Sequence, residues 1–359
     1  MLAHDPTQLQ ACFFAAAAAA GLDARPAGAD WPQLAAQLSY LPIEYDASFI
    51  AFQRLFLGER AGRVADVCAV LYHDRKPVAL WPVFVLEGLA APHALRLSSN
   101  GGPLLPPLYG AAAGAAVRDK LDKAAARAAQ AFCRQAGIAM LAAQETLGPQ
   151  QAAIGGLHAE LMRSGAVPSA AYLLYVDLSL TPEALRAGYR KSYKALINSG
   201  EKLWRVGIQH TADPALFKEF EQLHIAVAGR VTRSSASWDL QHGYIAQGSA
   251  FLVYLRDAAG RMVGGGYFQH TAHEGLYLVG AYDRALFDKP LGHVVQHQAI
   301  AELRRRGVRW HKLGQRYYAG CATPGSDKEQ SNSVFKEGFA SHQFLRLDAE
   351  LALVSQEAP

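Results

Sequence analysis

Four consecutive segments decide the fold of this chain: RMVGGGYFQH (261–270), EGLYLVGAY (274–282), DKPLGHVVQHQAIAELRRRG (288–307) and VRWHKLG (308–314). The first two alternate in hydrophobicity like paired antiparallel strands. The third begins as a turn and continues as an amphipathic helix, which carries the chain into the strand of the fourth. A loop between a strand and a helix N-terminus offers unpaired N–H groups and the positive end of a dipole. This stretch therefore predicts a place for a pyrophosphate or for a developing oxyanion.

The same mixture of strands and helices continues on both sides. In the second half we expect the strands 170–178, 204–210, 249–256, 309–314 and 341–353 and the helices 213–230, 289–306 and 326–338, with another helix that Thr181 caps and that restarts through 189–202. In the first half we expect the strands 64–74, 76–88, 93–99 and 138–144 and the helices 109–136 and 150–164. These patterns predict an α/β (α+β) chain built from two copies of one mixed unit, with a boundary near residues 164–169 and domains 1–166 and 167–359.

The composition fits a well-packed soluble enzyme. Because 359 residues exceed what one core usually supports, two domains of about 150–180 residues are expected. A hydrophobic fraction of 51% with 18% charged residues argues against a disordered or fibrous chain. The net charge of +4 is too small to indicate general nucleic-acid binding.

The cysteines and the N-terminal segment favour a cytoplasmic protein without a membrane span. Cysteine spacing shows no CxxC pair and no neighbouring histidine at a metal-binding distance, which is typical of reduced thiols. No Lys or Arg precedes the Ala-rich run 11–20, which is shorter than the roughly 20 residues that cross a bilayer, so a buried helix is expected there. His293 and His297 lie four residues apart, but no third ligand is in view, so no metal is expected.

A cationic helical face is predicted at the start of the second half. Acidic residues are nearly absent between Glu183 and Glu201, and residues four apart on a helix share a face. This face could grip a diphosphate or another polyanion, or it could be a solvated surface. The residues proposed for the grip are Arg190, Lys191, Tyr193, Lys194 and Asn198.

Three further groups are candidates for anion or substrate binding: Arg230, Arg233 and Trp238 after helix 213–230, Lys289 and Gly292 in the turn before helix 289–306, and Gln315 and Arg316 after strand 309–314. Two arginines with hydroxyls between them suit forked contacts to a phosphate or carboxylate, although a surface loop would look the same. A glycine at a helix N-terminus would let a phosphate approach the backbone, whereas Pro290 could simply be a first-turn proline.

Lys336 is the single cation with the strongest claim to a catalytic role. It lies in FKEGF (335–339), at the end of a helix that Ser326 caps with Glu329. Gly338 could cap the other end. FKEGF, with RKSYKALINSG (190–200), GAYD (280–283) and WHKLG (310–314), resembles the FemAB-like branch of the GNAT acyltransferase superfamily, which includes members associated with bacterial surface polysaccharides. The resemblance covers about residues 170–345 well and the first half only by element order.

The resemblance implies two tandem GNAT-like domains, the first degenerate, and transfer of an acyl or aminoacyl group to an amine. Lys336 stands at the family's Phe-Lys position, near the reacting carbonyl. The family's CoA loop, Gln/Arg-x-x-Gly-x-Gly/Ala, is matched only in part by Lys289-Pro-Leu-Gly292-His-Val. No long charged helical hairpin of the kind found in some bridge-forming enzymes is present.

The expected reaction is N-acyl transfer, with acyl-CoA as the donor, to a nucleotide-linked amino sugar or another glycan precursor of the cell envelope. An aminoacyl-tRNA-dependent ligase of the peptidoglycan-bridge type and a non-catalytic binding module are the alternatives. Lys336, or the backbone N–H groups of 264–266, would stabilise the oxyanion. The candidate bases are Tyr282, Asp283 and His311. The oligomeric state stays open.

Overall fold

A computed structural model of the chain describes residues 5–88, 93–149, 151–322 and 324–353. The chain divides into two compact units: the first comprises residues up to Ala171 together with those from Leu345 onwards, and the second comprises Tyr172–Phe344. The expected domains placed everything after residue 166 in the second domain. The difference at the C-terminus arises because the last strand pairs with a strand of the first unit.

The first unit surrounds a long, alanine-rich helix. Its helices are α1 (Pro6–Ala19), α2 (Asp30–Ala35), α3 (Ala47–Gly58), α4 (Ala115–Gln135) and α5 (Gly156–Arg163). Its strands are β1 (Asp23–Pro26), β2 (Arg63–Asp66), β3 (Ala69–His73), β4 (Lys76–Trp81), β5 (Phe84–Glu87), β6 (Leu95–Ser98), β7 (Leu108–Tyr109) and β8 (Met140–Leu147), and β9 (Val167–Asp177) leads into the second unit. The small side chains of α4 let α1 pack closely. The rings of Phe13 and Phe132 meet edge to face, with their centroids 5.5 Å apart. The Ala-rich run is thus part of a packed helix, as predicted.

The second unit contains all of the FKEGF and WHKLG motifs. Its helices are α6 (Pro182–Gly188), α7 (Lys191–Leu203), α8 (Pro214–Ala228), α9 (Ser235–Ala246), α10 (Leu291–Arg305) and α11 (Asp327–Glu337). Its strands are β10 (Arg205–Gln209), β11 (Ala250–Arg256), β12 (Met262–His270), β13 (Glu274–Tyr282) and β14 (Trp310–Arg316), and β15 (His342–Ala352) returns to the first unit.

The sheet of the second unit has the order β10-β11-β12-β13-β14-β9. All of its pairings are antiparallel except that of β13 with β14, which the crossover helix α10 connects. α10 packs its apolar face on β11, β12 and β13 because Val294, Val295 and Leu303 all point into the core. This arrangement confirms the strand–turn–helix–strand order read from residues 261–314.

The strands β9 and β15 each follow a helix of one unit and pair with a strand of the other unit. β9 follows α5 but pairs through residues 172–177 with β14. β15 follows α11 but pairs through residues 345–352 with β8. Local patterning predicted both strands, but it carries no information on which distant strand each one joins.

Two predicted elements differ from the structure. No helix was predicted between α8 and the strand at 249–256, whereas Ser234 caps α9 and Trp238 is a buried helical residue. The helix expected over 150–164 is α5, which begins only at Gly156; its predicted start at Gln150 lies outside the described residues. Within the part of the chain that the structure describes, none of the helices combines the length and apolar character that a membrane crossing requires.

Candidate active site

β13 and β14 separate soon after they meet. They pair at three positions, from Glu274 opposite Trp310 to Leu276 opposite Lys312, although β13 continues to Tyr282 and β14 to Arg316. In the strand pairings of the described residues, nothing replaces β14 beside β13 beyond Leu276. We call the opening between residues 277–282 and 313–316 the wedge. Backbone N–H and C=O groups on its edges lack a strand partner and can bind a ligand.

Irregular backbone lines both sides of the wedge. β13 carries an extra residue between Tyr277 and Val279 relative to β12, and β14 carries one between Lys312 and Gly314 relative to β9. Bulges of this kind redirect side chains and backbone groups next to functional sites. Gly314 itself has φ +111°, a conformation that L side chains rarely adopt.

Lys336 reaches the wedge from the last turn of α11. Its Nζ lies 6.0 Å from the centroid of the Tyr277 ring. A Cβ placed on Gly314 would lie 3.2 Å from the same nitrogen, so the glycine leaves room for the ammonium. Among the ion pairs of the described residues none involves Lys336, and burial lowers its pKa from the ordinary lysine value. The wedge therefore contains an uncompensated cation.

His311 lies beneath this cation and is fully buried. Its Nδ1 is 3.2 Å from the carbonyl oxygen of Gly275, so Nδ1 carries the proton and donates it there. Nε2 then holds a lone pair, and this buried nitrogen has no hydrogen-bond partner in the described structure. Burial, together with the charge of Lys336, lowers the pKa of His311 to about 4, so the ring is neutral at neutral pH.

Two tyrosines form the β13 side of the wedge. Their hydroxyls, those of Tyr277 and Tyr282, are 3.1 Å apart. Burial raises the pKa of Tyr277 to about 12 and that of Tyr282 well above its ordinary value. Both rings are therefore neutral hydrogen-bonding groups, and Tyr282 is unsuited to the proton-accepting role that the sequence analysis considered.

The three consecutive glycines of β12 make room for side chains. Residues 264–266 pair with β11 on one side and with β13 on the other, which engages their N–H groups in the sheet. A Cβ on Gly266 would lie within 3.1 Å of Val295, Phe268 and Tyr277, and one on Gly265 would lie 3.0 Å from Phe220. The suggestion that these N–H groups stabilise an oxyanion is therefore corrected: the glycines allow close packing.

Asp283 has a structural role at the end of β13. Its carboxylate accepts a hydrogen bond from the N–H of Ala285 at 3.0 Å and pairs with Arg261 at 2.8 Å. The hydrogen bond from Arg261 lowers the pKa of Asp283, which makes the carboxylate a weaker base. Of the three bases considered from the sequence, His311 alone keeps a free acceptor atom.

The turn before α10 packs against α11 through Gly292. The Gly292 side facing α11 is filled by Phe335, whose ring would lie 3.2 Å from a Cβ on that glycine. Lys289 is exposed and pairs with Asp288 at 2.8 Å. Pro290 brings no N–H group. Packing against α11 accounts for Gly292, and phosphate binding at this turn stays a prediction.

Arg190 and Tyr193 turn toward α11. Arg190 Nη2 donates to the carbonyl of Val334 at 3.0 Å, and the Tyr193 hydroxyl donates to the carbonyl of Phe335 at 3.0 Å. Gly338 has φ −64°, so it is not a left-handed cap; a Cβ there would overlap the Tyr193 ring. Both side chains therefore contact α11, and a phosphate-binding role for them stays a prediction.

The rest of the proposed grip lies along α7. Lys191 and Asn198 are exposed, Asn198 accepts a hydrogen bond from Arg186, and Lys194 Nζ donates to the carbonyl of Ala187 at 3.2 Å. These residues share a surface of the second unit, but the wedge strands do not carry them. Their role in anion binding stays a prediction.

The Arg230, Arg233 and Trp238 group is carried by α9 and the segment before it. The Arg233 guanidinium lies 4.7 Å from the Trp238 ring centroid and donates to Gln241 at 3.1 Å, while Arg230 is exposed. Trp238 is only 2% exposed, so it serves as a packing surface for the arginine. Substrate binding by this group stays a prediction.

Gln315 and Arg316 end β14 at the mouth of the wedge. Arg316 pairs through Nε with Glu337 at 3.2 Å, donates to Ser333 Oγ at 3.2 Å and covers the Tyr318 ring at 4.3 Å. Gln315 is partly buried beside it. Arg316 thus joins β14 to α11 next to Lys336.

Sequence reasoning missed two residues of the wedge, Tyr277 and Gly314. Tyr277 reads as an ordinary strand residue, and only the separation of β13 from β14 places it in the wedge. A glycine inside a strand pattern does indicate a bulge or a close approach, so Gly314 could have been singled out. In the described residues no group of three or more His, Cys, Asp or Glu side chains is arranged to hold a metal ion.

Comparison with solved structures identifies this architecture. FemX superposes with a TM-score of 0.59 at 10% sequence identity, over 86% of this chain and 96% of FemX. The chain has the FemAB-like fold. L-PGS from Bacillus licheniformis gives 0.57 at 13% identity over 93% of both chains, and the C-terminal domain of a protein assigned as a lysylphosphatidylglycerol synthetase from Agrobacterium fabrum gives 0.57 at 12%, over 92% of this chain and 94% of that one.

These likenesses confirm the predicted α/β fold and the FemAB-like resemblance at the level of the fold. No family model and no curated protein matches the sequence. At identities of 10–13% the comparisons carry no residue roles, so the site must be argued from its own geometry.

Proposed function

We propose that this chain transfers an acyl or aminoacyl group to an amine, and that the transfer takes place in the wedge. The observation that carries the proposal is the partly buried ammonium of Lys336, placed between two separated strands without a carboxylate partner. A cation in that setting favours a ligand on which negative charge develops. The FemAB-like fold supports the class of reaction, and Lys336 supplies the positive charge that would stabilise the oxyanion.

The reaction begins when the amine nitrogen attacks the carbonyl carbon of a bound ester or thioester. The C–N bond forms, and the carbonyl oxygen becomes an oxyanion that accepts hydrogen bonds from Lys336 Nζ and from unpaired N–H groups of β13. The tetrahedral carbon then expels the alcohol or thiol of the donor. Stabilisation of the oxyanion by such donors is the largest catalytic contribution that the wedge offers.

His311 is the proposed acceptor of the amine proton. Its Nε2 lone pair is free, and its ring is neutral because burial holds its pKa near 4. Such a low pKa makes it a weak base, so it suits a proton that leaves late, from the tetrahedral ammonium, and passes to the leaving oxygen or sulfur. The Tyr277 and Tyr282 hydroxyls can orient the acceptor without changing charge.

Two classes of donor, acyl-CoA and aminoacyl-tRNA, are candidates. The acceptor we propose is an amino sugar, nucleotide-linked, used for a cell-surface glycan; the resemblance to proteins associated with surface polysaccharides supports it. Acyl-CoA would be the matching donor. The second candidate is an aminoacyl-tRNA donor, which the loop around Gly292 supports because Lys289-Pro-Leu-Gly292-His-Val lacks the last small residue of the family's CoA loop.

A matrix of donors and acceptors tests the proposal. The purified full-length chain is incubated with acetyl-CoA or with charged tRNA, each against UDP- and CMP-linked amino sugars and against amine-bearing peptidoglycan precursors. Mass spectrometry of the acceptors reports the transfer. We expect a mass gain on one acceptor class, and the added mass identifies the donor.

The controls separate the possibilities. Product with acetyl-CoA alone would overturn the argument from Gly292, and product with charged tRNA alone would support it. No product from any pair, with the protein folded, would overturn the transferase proposal and support a binding-only module. In that case a thermal-shift screen against the same ligands would reveal what is bound.

A further inference from the structure

The helix turn that carries Lys336 is held by side chains and backbone of α7. The last carbonyls of an α-helix have no intrahelical partner. In α11 the carbonyl of Val334 accepts from Arg190 Nη2 at 3.0 Å, and that of Phe335 accepts from the Tyr193 hydroxyl at 3.0 Å. Just beyond the helix, the carbonyl of Gly338 accepts from the backbone N–H of Arg190 at 2.9 Å. These bonds lie on both sides of Lys336 in sequence.

Charge adds to this attachment. The C-terminal end of a helix carries partial negative charge, which a guanidinium stabilises. Arg190 is also 3.9 Å from the Glu337 carboxylate, which Arg316 approaches from β14 at 3.2 Å. The residue next to Lys336 is therefore fixed between two arginines from different elements.

The Tyr193 ring supports the same turn by packing. It lies 4.5 Å from the His293 ring of α10 and 4.9 Å from the Phe339 ring, centroid to centroid. Gly338 allows this ring to touch the backbone after α11. The hydroxyl bond to Phe335 and the ring packing can be separated by mutation, because a phenylalanine keeps the second and loses the first.

We propose that Arg190 and Tyr193 are positioning residues: by binding the carbonyls around Lys336, they hold its ammonium beside Gly314 and Tyr277 in the wedge. The catalytic consequence rests on the proposed function, but the placement of Lys336 does not. Two other roles would leave different traces. A phosphate-binding Arg190 would act on substrate affinity, and a merely structural Arg190 would act on stability alone.

The test measures the ionisation of Lys336 directly. The folded full-length protein is labelled with trace acetic anhydride from pH 7 to pH 11, and mass spectrometry quantifies acetylation of Lys336. Lys328, exposed on the same helix, serves as the internal reference. The variants are Arg190→Lys, Arg190→Ala and Tyr193→Phe. Arg309→Lys is the matched control, because the described contacts include no hydrogen bond or ion pair of the Arg309 guanidinium.

We expect the labelling midpoint of Lys336 to rise toward that of Lys328 in Arg190→Lys and Tyr193→Phe. Arg190→Lys keeps the charge but cannot reach Val334 and Glu337 together, and a loosened turn exposes Lys336 to water. We expect the midpoint to rise by about half a pH unit to one pH unit, which lowers the fraction of neutral Lys336 at pH 8 about threefold to tenfold. Arg309→Lys should leave the midpoint in place.

Three outcomes would overturn the proposal. The midpoint could stay unchanged in both conservative variants while melting temperatures fall, which would mark a structural role. It could rise only in Arg190→Ala, which would mark a simple charge effect. In the transferase assay Arg190→Lys could raise KM alone, which would mark substrate binding, whereas positioning predicts a fall in kcat. Failure of the transferase assay itself would leave the labelling result intact.

Discussion

Two helices, α5 in the first unit and α11 in the second, differ in how the charged side chains next to them are paired. In the first unit α5 follows β8, and its N-terminus is closed by carboxylates: Glu145 accepts from the Gly155 N–H at 3.0 Å, and Asp122 accepts from the Gly156 N–H at 3.1 Å. His158 lies 3.4 Å from Glu145, and both are almost fully buried. In the second unit α11 follows β14, begins with a capping box at the surface and carries the unpaired Lys336 at its end.

The difference indicates which buried charges stabilise and which are kept for a ligand. A Cβ on Gly155 would collide with Glu145, and one on Gly156 would collide with Asp122. Glycines at the start of α5 therefore leave room for the two carboxylates. A buried carboxylate that accepts hydrogen bonds from its own neighbours is costly to remove, because those donors are left without a partner. A buried charge without such a partner lowers stability and is retained where a ligand completes the site.

Removing Glu145 should produce the largest loss of stability. Glu145→Ala leaves the Gly155 N–H without an acceptor, and we expect the free energy of unfolding of the first unit to fall by about 1–3 kcal/mol. Hydrogen exchange of peptides from β8 and α5 measures this loss. Glu160→Ala, at a partly exposed carboxylate on α5 that pairs with Arg163, is the control. The Lys336 labelling midpoint should stay constant, and a shift in it would break the contrast between the two regions.

Lys336→Met should show the opposite profile. Turnover is expected to fall about a hundredfold, as for a lost oxyanion donor, which corresponds to about 2.7 kcal/mol. The melting temperature should hold or rise, because a desolvated cation is replaced by an apolar side chain of similar length. Lys328→Met on the exposed part of α11 is the control. A hundredfold loss accompanied by unfolding would contradict the division of roles.

The sequence predicted the long periodic elements of both regions because each is determined locally. β12, β13 and α10 have clear hydrophobic periods, and the Ser326–Glu329 capping box needs only neighbouring residues. α9 was missed because it buries polar residues such as Ser237 and Gln241, which weakens the apolar stripe. The exchanged pairing of β9 and β15 depends on distant partners, which local patterns do not specify.

The candidate site was predictable only in part for the same reason. Lys336 was singled out through a short motif, and His311 was one of three candidate bases. The contacts of Arg190 with α11 were not predicted, because a helical face in sequence does not reveal that another helix end lies against it. The wedge itself depends on where β13 and β14 stop pairing, a tertiary event.

Gly314→Ala tests how closely the wedge is fitted to Lys336. Two costs are combined here: φ +111° is unfavourable for alanine, and its Cβ would press on Nζ at 3.2 Å. Gly307→Ala is the matched control, because it has φ +76° and nothing within 4 Å of an added Cβ. Both should cost about 1 kcal/mol of stability. Only Gly314→Ala should lower turnover, and equal turnover in the two variants would show that the contact does not matter.

A further effect, confined to acidic pH, is expected at His311. Its pKa is about 4 in the folded chain and ordinary in the unfolded chain, so between pH 6.5 and pH 4 the unfolded state binds more protons. The stability that this buried neutral ring allows is present above pH 6.5 and is lost as the pH falls toward 4. His311→Asn can keep the hydrogen bond to Gly275 but does not titrate. We therefore expect urea unfolding of the variant to lose less stability over this range, by at most about 1.4 kcal/mol per pH unit. A variant as pH-sensitive as the wild type would show that folding does not lower the pKa of His311, which would contradict the neutral, desolvated ring on which its proposed role depends.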